Sequence, residues 1–231
     1  MPSESPHPPG RVLGVFVGGP EAHVWLKREL TTSIFKRPVA GPVRVLAENL
    51  EGDRQSLRPQ HGGPDKAVYV YAEEDAAWWA AELGREPEAP QFGENLRVTG
   101  LDLHAAVIGE TWRIGTATLQ VSEPRTPCWR IGLRMGDPRF PRRFAEAGRP
   151  GVMLRVLEQG VLQAGDPVDV LSRPAHGITV RTINEIYYGR DRDLAPMFAA
   201  PELAAHWREW AEHRTVWHLH DEKTKGVAVD A

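Results

Sequence analysis

The amino-acid sequence predicts a mainly β body with some helix, followed by a small helical domain. Three observations carry this. The 231 residues include 22 glycines and 20 prolines, which break the chain into short elements between turns. Short β-branched and alternating runs fill the chain to about residue 171. After Pro174 the pattern turns helical, with Leu203, Trp207 and Trp210 on one face. The expected organisation is a flexible arm over 1–10, a β domain over 11–174, three helices over 175–220 and a flexible tail over 221–231.

The elements follow in order. Arg11 to Val17 is apolar and β-branched and ends in Gly18-Gly19-Pro20, which makes it the first strand. Lys27 to Val45 is mixed and broken by Pro38 and Pro42, and Glu51-Gly52-Asp53 is a turn. His61-Gly62-Gly63-Pro64-Asp65-Lys66 is a loop that leads into the strand Ala67 to Tyr71. Glu73 to Leu83 has acids in its first turn and Gly84 after its last apolar residue, the two signs of a bounded helix. Phe92 to Val98 reads as a turn into a strand. Trp112 to Gly115 and Ala117 to Ser122 read as hairpin strands, and Arg139 to Ala147 as a short helix. Gly151 to Glu158 and Val161 to Leu171 are expected to pair around Gln159-Gly160. Thr182 to Tyr188, Leu194 to Ala199 and Pro201 to His213 are the three closing helices.

The bulk composition excludes several classes. An apolar share of 41% allows a sizeable core. The formal charge of -3, without a basic stripe, argues against a nucleic-acid partner. No apolar run is long enough to span a bilayer, and the first residues lack the pattern of a secretory signal. A single cysteine excludes an internal disulfide, and a cytoplasmic location is the default expectation.

Three segments could carry chemistry. In Ser122-Glu123-Pro124-Arg125-Thr126-Pro127-Cys128-Trp129-Arg130, prolines fix the backbone and arginines bracket the cysteine. Nearby guanidiniums favour a thiolate, the form that binds a soft metal. The residues alone balance this reading evenly against a buried, inert cysteine. In the loop from His61 to Lys66, glycines allow close approach to the backbone and the end residues could hold an anion. Taken alone it is equally an ordinary turn with a solvated lysine. Phe92-Gly93-Glu94-Asn95-Leu96 could aim polar groups into a pocket, and alone it reads as a capping turn.

Together and in this order, with Glu51-Gly52-Asp53 and Gly165-Asp166, these stretches resemble the MOSC family. The resemblance spans roughly residues 11 to 172 and lies nearest the small bacterial YiiM-like branch, the hydroxylaminopurine resistance proteins. The helical end resembles that branch's three-helix extension. The resemblance implies a β-barrel like that of pyruvate kinase, carrying a molybdenum cofactor (molybdopterin) in a deep cleft and needing no pyridoxal phosphate. It implies Cys128 as the molybdenum ligand, beside the two dithiolene sulfurs. It also implies reduction of N-hydroxylated compounds such as hydroxylaminopurine, with electrons from an external reductase.

Roles follow from position and chemistry. Arg125, Arg130 and Lys66 are expected to balance thiolate and phosphate charge. His61 and Glu94 are expected to move protons. Asn95, Ser122 and Thr126 are expected to hydrogen-bond the cofactor. The expected substrate is a small N-hydroxylated molecule, and a homodimer is compatible with the sequence. Competing readings are a sulfurtransferase with a Cys128 persulfide, a non-catalytic cofactor carrier, and a nucleic-acid module on the tail. The tail mixes Arg181, Arg190, Arg192, Arg208 and Arg214 with six acids, Glu185, Asp191, Asp193, Glu202, Glu209 and Glu212, which reads as a solvated surface. His206, His213, His218 and His220 lack a known metal spacing, so no zinc site is assigned.

Overall fold

The computed structural model describes residues 10–56 and 62–214. Seven strands close a barrel. They are β1 (Gly10–Val17), β6 (Val68–Ala72), β7 (Leu96–Thr99), β8 (Thr111–Ile114), β9 (Ala117–Pro124), β10 (Val152–Glu158) and β12 (Pro167–Ser172). Their order is β12-β8-β9-β10-β6-β7-β1, and β1 pairs back onto β12 through Gly10 with Val168 and Arg11 with Pro167. Closure removes free sheet edges. Outside it, β4 (Arg37–Pro38) extends β1, β2 (Glu21–Trp25) and β3 (Arg28–Thr32) form a hairpin, and β5 (Val43–Val45) pairs with β11 (Gly160–Leu162).

Among the paired strands, β6 and β7 alone run parallel, so a crossover must join them. That crossover is α1 (Glu73–Leu83), which follows β6 directly and ends at Gly84 in the left-handed conformation. Its bounds are the expected ones. Every residue of β6 is buried. Val68, Val70 and Ala72 belong to the main core, while Tyr69 and Tyr71 belong to a second, aromatic core. The two-residue period of a strand sends alternate side chains to opposite faces, and here both faces are covered. The aromatic core joins Trp79 of α1, Phe92, Ile131 of α2 (Trp129–Met135), and Phe140 and Phe144 of α3 (Phe140–Ala147).

The C-terminal segment packs into the main core. Val180, Ile183 and Ile186 of α4 (Val180–Tyr187), Met197 of α5 (Ala195–Ala199), and Leu203, Trp207 and Ala211 join the barrel's apolar cluster. Trp207 and Ala211 lie on a helix over 205–214.

Two expectations need correction. The strands on either side of Gln159-Gly160 do not pair with each other. Strand β10 lies between β9 and β6, β11 pairs with β5, and β12 lies between β8 and β1. Barrel closure demands these distant partners, which local turn chemistry does not reveal. The cysteine turn is also not wholly a turn: Cys128 is the extended N-cap residue of α2.

Candidate active site

A cleft opens between the barrel rim and the aromatic core, enclosing about 630 Å³ including its mouth. Its walls bring together Cys128, Arg125, Arg130, Lys66, Asn95 and Lys36. These residues lie between 36 and 130 in the chain; Lys66 and Asn95 stand just before β6 and β7, and Arg125 and Cys128 follow the end of β9. No carboxylate lines the cleft among the described residues.

The cations are held from behind. Lys36, almost fully buried, is ion-paired with Asp53, whose Oδ1 also accepts from the Gly18 amide at 2.9 Å. Lys66 stands 3.8 Å from Glu123 Oε1. The Arg125 guanidinium lies 5.2 Å from the ring centroids of both Tyr69 and Phe144, a cation–π sandwich that fixes its plane. Arg130 stacks on Trp129 at 4.5 Å. Both arginines are buried, at 7% and 8% exposure, yet Arg125 Nη1 and Arg130 Nε have no hydrogen-bond partner among the described residues. Ser33 Oγ on the same cleft is also buried and has no hydrogen-bond partner among the described residues. Unsatisfied buried donors are costly, and three on one cleft mark a place that suits an anion with several acceptor atoms.

The opposite wall is apolar, from Ile34, Phe92 and Met153. Gly93 shapes it, with φ +79 and with a Cβ there falling 2.7 Å from Ile34. Such a wall suits a flat, apolar-faced group.

Residues 58–169 match the MOSC domain family. Protein YiiM of Escherichia coli is 34% identical over 189 residues, covering 79% of this chain and 84% of that protein. The crystal structure of YiiM from Geobacillus stearothermophilus superposes with a TM-score of 0.74 at 32% identity, covering 89% of this chain and 99% of that one. A protein of Gibberella moniliformis named "Reductase" is 33% identical over 72% of this chain, which corresponds to 30% of that protein. The chain belongs to the MOSC family, in its YiiM-like branch.

Within this MOSC fold the expected site residues separate into groups. Cys128, Arg125, Arg130, Lys66 and Asn95 line one cleft. Asn95 also has a structural task, since its Oδ1 accepts from the Tyr69 amide at 3.1 Å and its Nδ2 donates to Phe16 O at 3.1 Å. It thereby ties β6 to β1. His61 lies outside the described residues.

Three residues do not fit their expected roles. Glu94 is fully buried and does not line the cleft. Its Oε1 accepts from Arg97 Nε at 3.0 Å and from Arg97 Nη2, and its Oε2 accepts from the Phe92 amide at 2.9 Å. Arg97 reaches on to Glu73 at 2.9 Å. Glu94 is thus a buried structural anion. Ser122 Oγ lies 2.6 Å from Asp65 O and 2.8 Å from Met153 O, tying the 3-10 turn Pro64–Lys66 to β10. Thr126 is exposed and outside the cleft lining.

The sequence reading also missed participants. Lys36, Ser33 and Tyr69 line the cleft, and Glu123 backs Lys66. Asp53 lies in a matched motif, and a buried acid there signals a basic partner. Glu123 is buried beside the cysteine turn, its Oε2 accepting from Trp207 Nε1 at 2.9 Å and lying 3.3 Å from His206 Nε2. Burial pushes its carboxyl up from 4.5 to about 7, with Lys66 and the Trp207 hydrogen bond pulling the other way. His206 is held below its ordinary value, by burial first and then by the charge of Lys66. Glu123 is therefore only partly ionised near neutral pH, beside an imidazole whose neutral form is favoured.

Glu94→Gln is expected to lower stability by about 3 kcal/mol, because a buried Arg97 loses its buried counter-charge and keeps only the half-exposed Glu73. Chemical denaturation of the variant measures this, and an unchanged midpoint would show that Glu94 is not the structural anion described.

Glu123 makes stability depend on pH. The unfolded chain releases this proton near 4.5 and the folded chain near 7, so the folded state binds more protons between them. Stability from this group is complete below 4.5 and is lost as pH rises through 7. The loss is on the order of 3 kcal/mol at most, at 1.4 kcal/mol per unit. Thermal unfolding should show Glu123→Gln gaining on the wild type between pH 5 and pH 8. Parallel curves would refute the raised pKa.

Proposed function

We propose that the chain holds a molybdenum cofactor in the Cys128 cleft and reduces N-hydroxylated compounds to amines. The observation that carries the reading is the juxtaposition of the single cysteine with buried, unpartnered arginine atoms on a cleft whose described lining has no carboxylate. MOSC membership and the relative named a reductase support a redox role.

The chain's residues fit such a group. The Cys128 thiolate would be the metal's protein ligand, as suits a soft donor. Arg125, Arg130 and Lys66 would hold the anionic parts, with the arginines able to grip phosphate oxygens in pairs. Lys36 would add charge, and Phe92 and Ile34 would exclude water. When bound, the cofactor supplies the two-electron reduction that breaks an N–O bond. The overall change is R–NHOH plus two electrons and two protons to R–NH2 and water, with the electrons drawn from an external reductase. Glu94, closed off by Arg97, takes no part in moving those protons. Lys66, backed by Glu123, holds a proton at the cleft wall, and His61 remains a second proposed carrier.

Protein purified from a host that makes the cofactor should contain about one molybdenum per chain, and Cys128→Ala should lose it. With a supplied reductant, the loaded protein should convert an N-hydroxylated purine or an amidoxime to the amine or amidine, followed by chromatography. Equal metal in both proteins would reject Cys128 as ligand. Metal without turnover across several substrates and donors would leave a cofactor carrier. A persulfide on Cys128 in metal-free protein would point to sulfur transfer.

Arg125→Ala should weaken cofactor retention more than Arg181→Ala, measured by fluorescence of the released pterin. Equal retention would contradict Arg125 as an anion holder.

A further inference from the structure

A second cleft lies apart from the cysteine, enclosing about 580 Å³ including its mouth. It is framed by His104, Arg149, Arg181, Asn184, Glu185 and Arg190. None of these residues lines the first cleft.

The donors are positioned by the fold. Asp75 on α1 accepts from Arg149 Nη1 and lies 3.0 Å from His104 Nε2, so one buried carboxylate orients both groups. Burial alone would raise Asp75, yet His104 and Arg149 hold it below its ordinary value, and it stays an anion. Arg149 also lies over the Trp78 ring at 4.7 Å. Arg190 Nη2 donates to Ala145 O at 2.8 Å and Glu146 O at 3.0 Å, which fixes its fork against the end of α3. Arg181 is exposed on the first turn of α4.

Two further features point to a ligand. Asn184 is buried to 4% exposure and lines this cleft, so its side-chain amide can donate to a group held there. Gly148 has φ +66, and a Cβ there would stand 3.4 Å from Arg190 Nη1 and 4.0 Å from Asn184 Nδ2. The missing side chain leaves the floor open between those two donors.

The charge is anion-attracting, since three guanidiniums face two carboxylates, Asp75 and Glu185. The donors come from three segments: Arg149 beyond the cap of α3, Arg181 and Asn184 on α4, and Arg190 in the segment after α4. That arrangement matches a tetrahedral group with several acceptors better than a planar carboxylate. We propose that this cleft is a second anion site that takes a phosphoryl group, either free phosphate or the phosphate of a small ester. The site is independent of the molybdenum reading.

The test is calorimetric titration of the full chain with inorganic phosphate and, separately, with adenosine monophosphate. The wild type should bind at least one of them saturably. Arg181→Glu, an exposed position, and Asn184→Ala should each weaken binding about tenfold or more, as expected for loss of a hydrogen bond to a charged group. Arg125→Ala should leave this binding unchanged. Tighter binding of the nucleotide assigns the site to an ester, and tighter binding of inorganic phosphate assigns it to the free ion. Circular dichroism confirms that the variants fold, and Arg181→Ala replaces any that does not. No saturable binding, or equal affinity in wild type and both variants, overturns the proposal. So does binding lost in Arg125→Ala but kept in Arg181→Glu, which would place the phosphate in the cysteine cleft.

Discussion

Strand β6 is buried at every position, and the cleft exists because of it. Its inward residues Val68, Val70 and Ala72 belong to the barrel core. Its outward residues Tyr69 and Tyr71 seed the aromatic core that α1, α2 and α3 complete. The outward face does two jobs. Tyr69 donates to Pro150 O at 2.9 Å and Tyr71 to Arg149 O at 3.2 Å, which fixes the chain between α3 and β10. The Tyr69 ring also supports Arg125, and so holds a charge at the cleft that water would otherwise solvate. Losing the outward face of β6 would release the helix that starts after Cys128 and the arginines around it.

Electrostatics follow the same layering. The acids that accompany the cleft's cations sit behind them: Asp53 behind Lys36, and the partly ionised Glu123 behind Lys66. Glu94 is placed deeper still and serves Arg97 and the Phe92 amide, so it shapes the Gly93 turn without reaching the cleft surface. Positive charge thus faces the opening while the compensating charge is buried. Glu123 adds a link to the C-terminal helix through Trp207, which ties the helical end to the strand that leads to Cys128.

Much of this was legible in the sequence, and what was missed has physical causes. Helix α1 was readable because its acids and Gly84 are local signals. Cys128, Arg125 and Arg130 were readable because they are neighbours in one proline-bounded stretch. Strand partners were not, since β11 pairs with β5 and β12 with β1 across most of the chain. Lys36 and Tyr69 come from segments without a motif and reach the cleft only through the fold. Glu94 was misread because its partner Arg97, three residues on, turns a pocket-like signal into a closed ion pair. Arg181 and Arg190 read as a solvated mixture, whereas folding sets them with Asn184 and Arg149 on one cleft.

The central claim is that Cys128 anchors a metal in a cleft built for an anion. X-ray absorption at the molybdenum edge tests it most directly, because it counts sulfur neighbours whether or not a substrate has been found. The wild type should show one more sulfur around molybdenum than Cys128→Ser, beyond the two that a dithiolene provides. Identical sulfur counts in the two proteins would contradict the account.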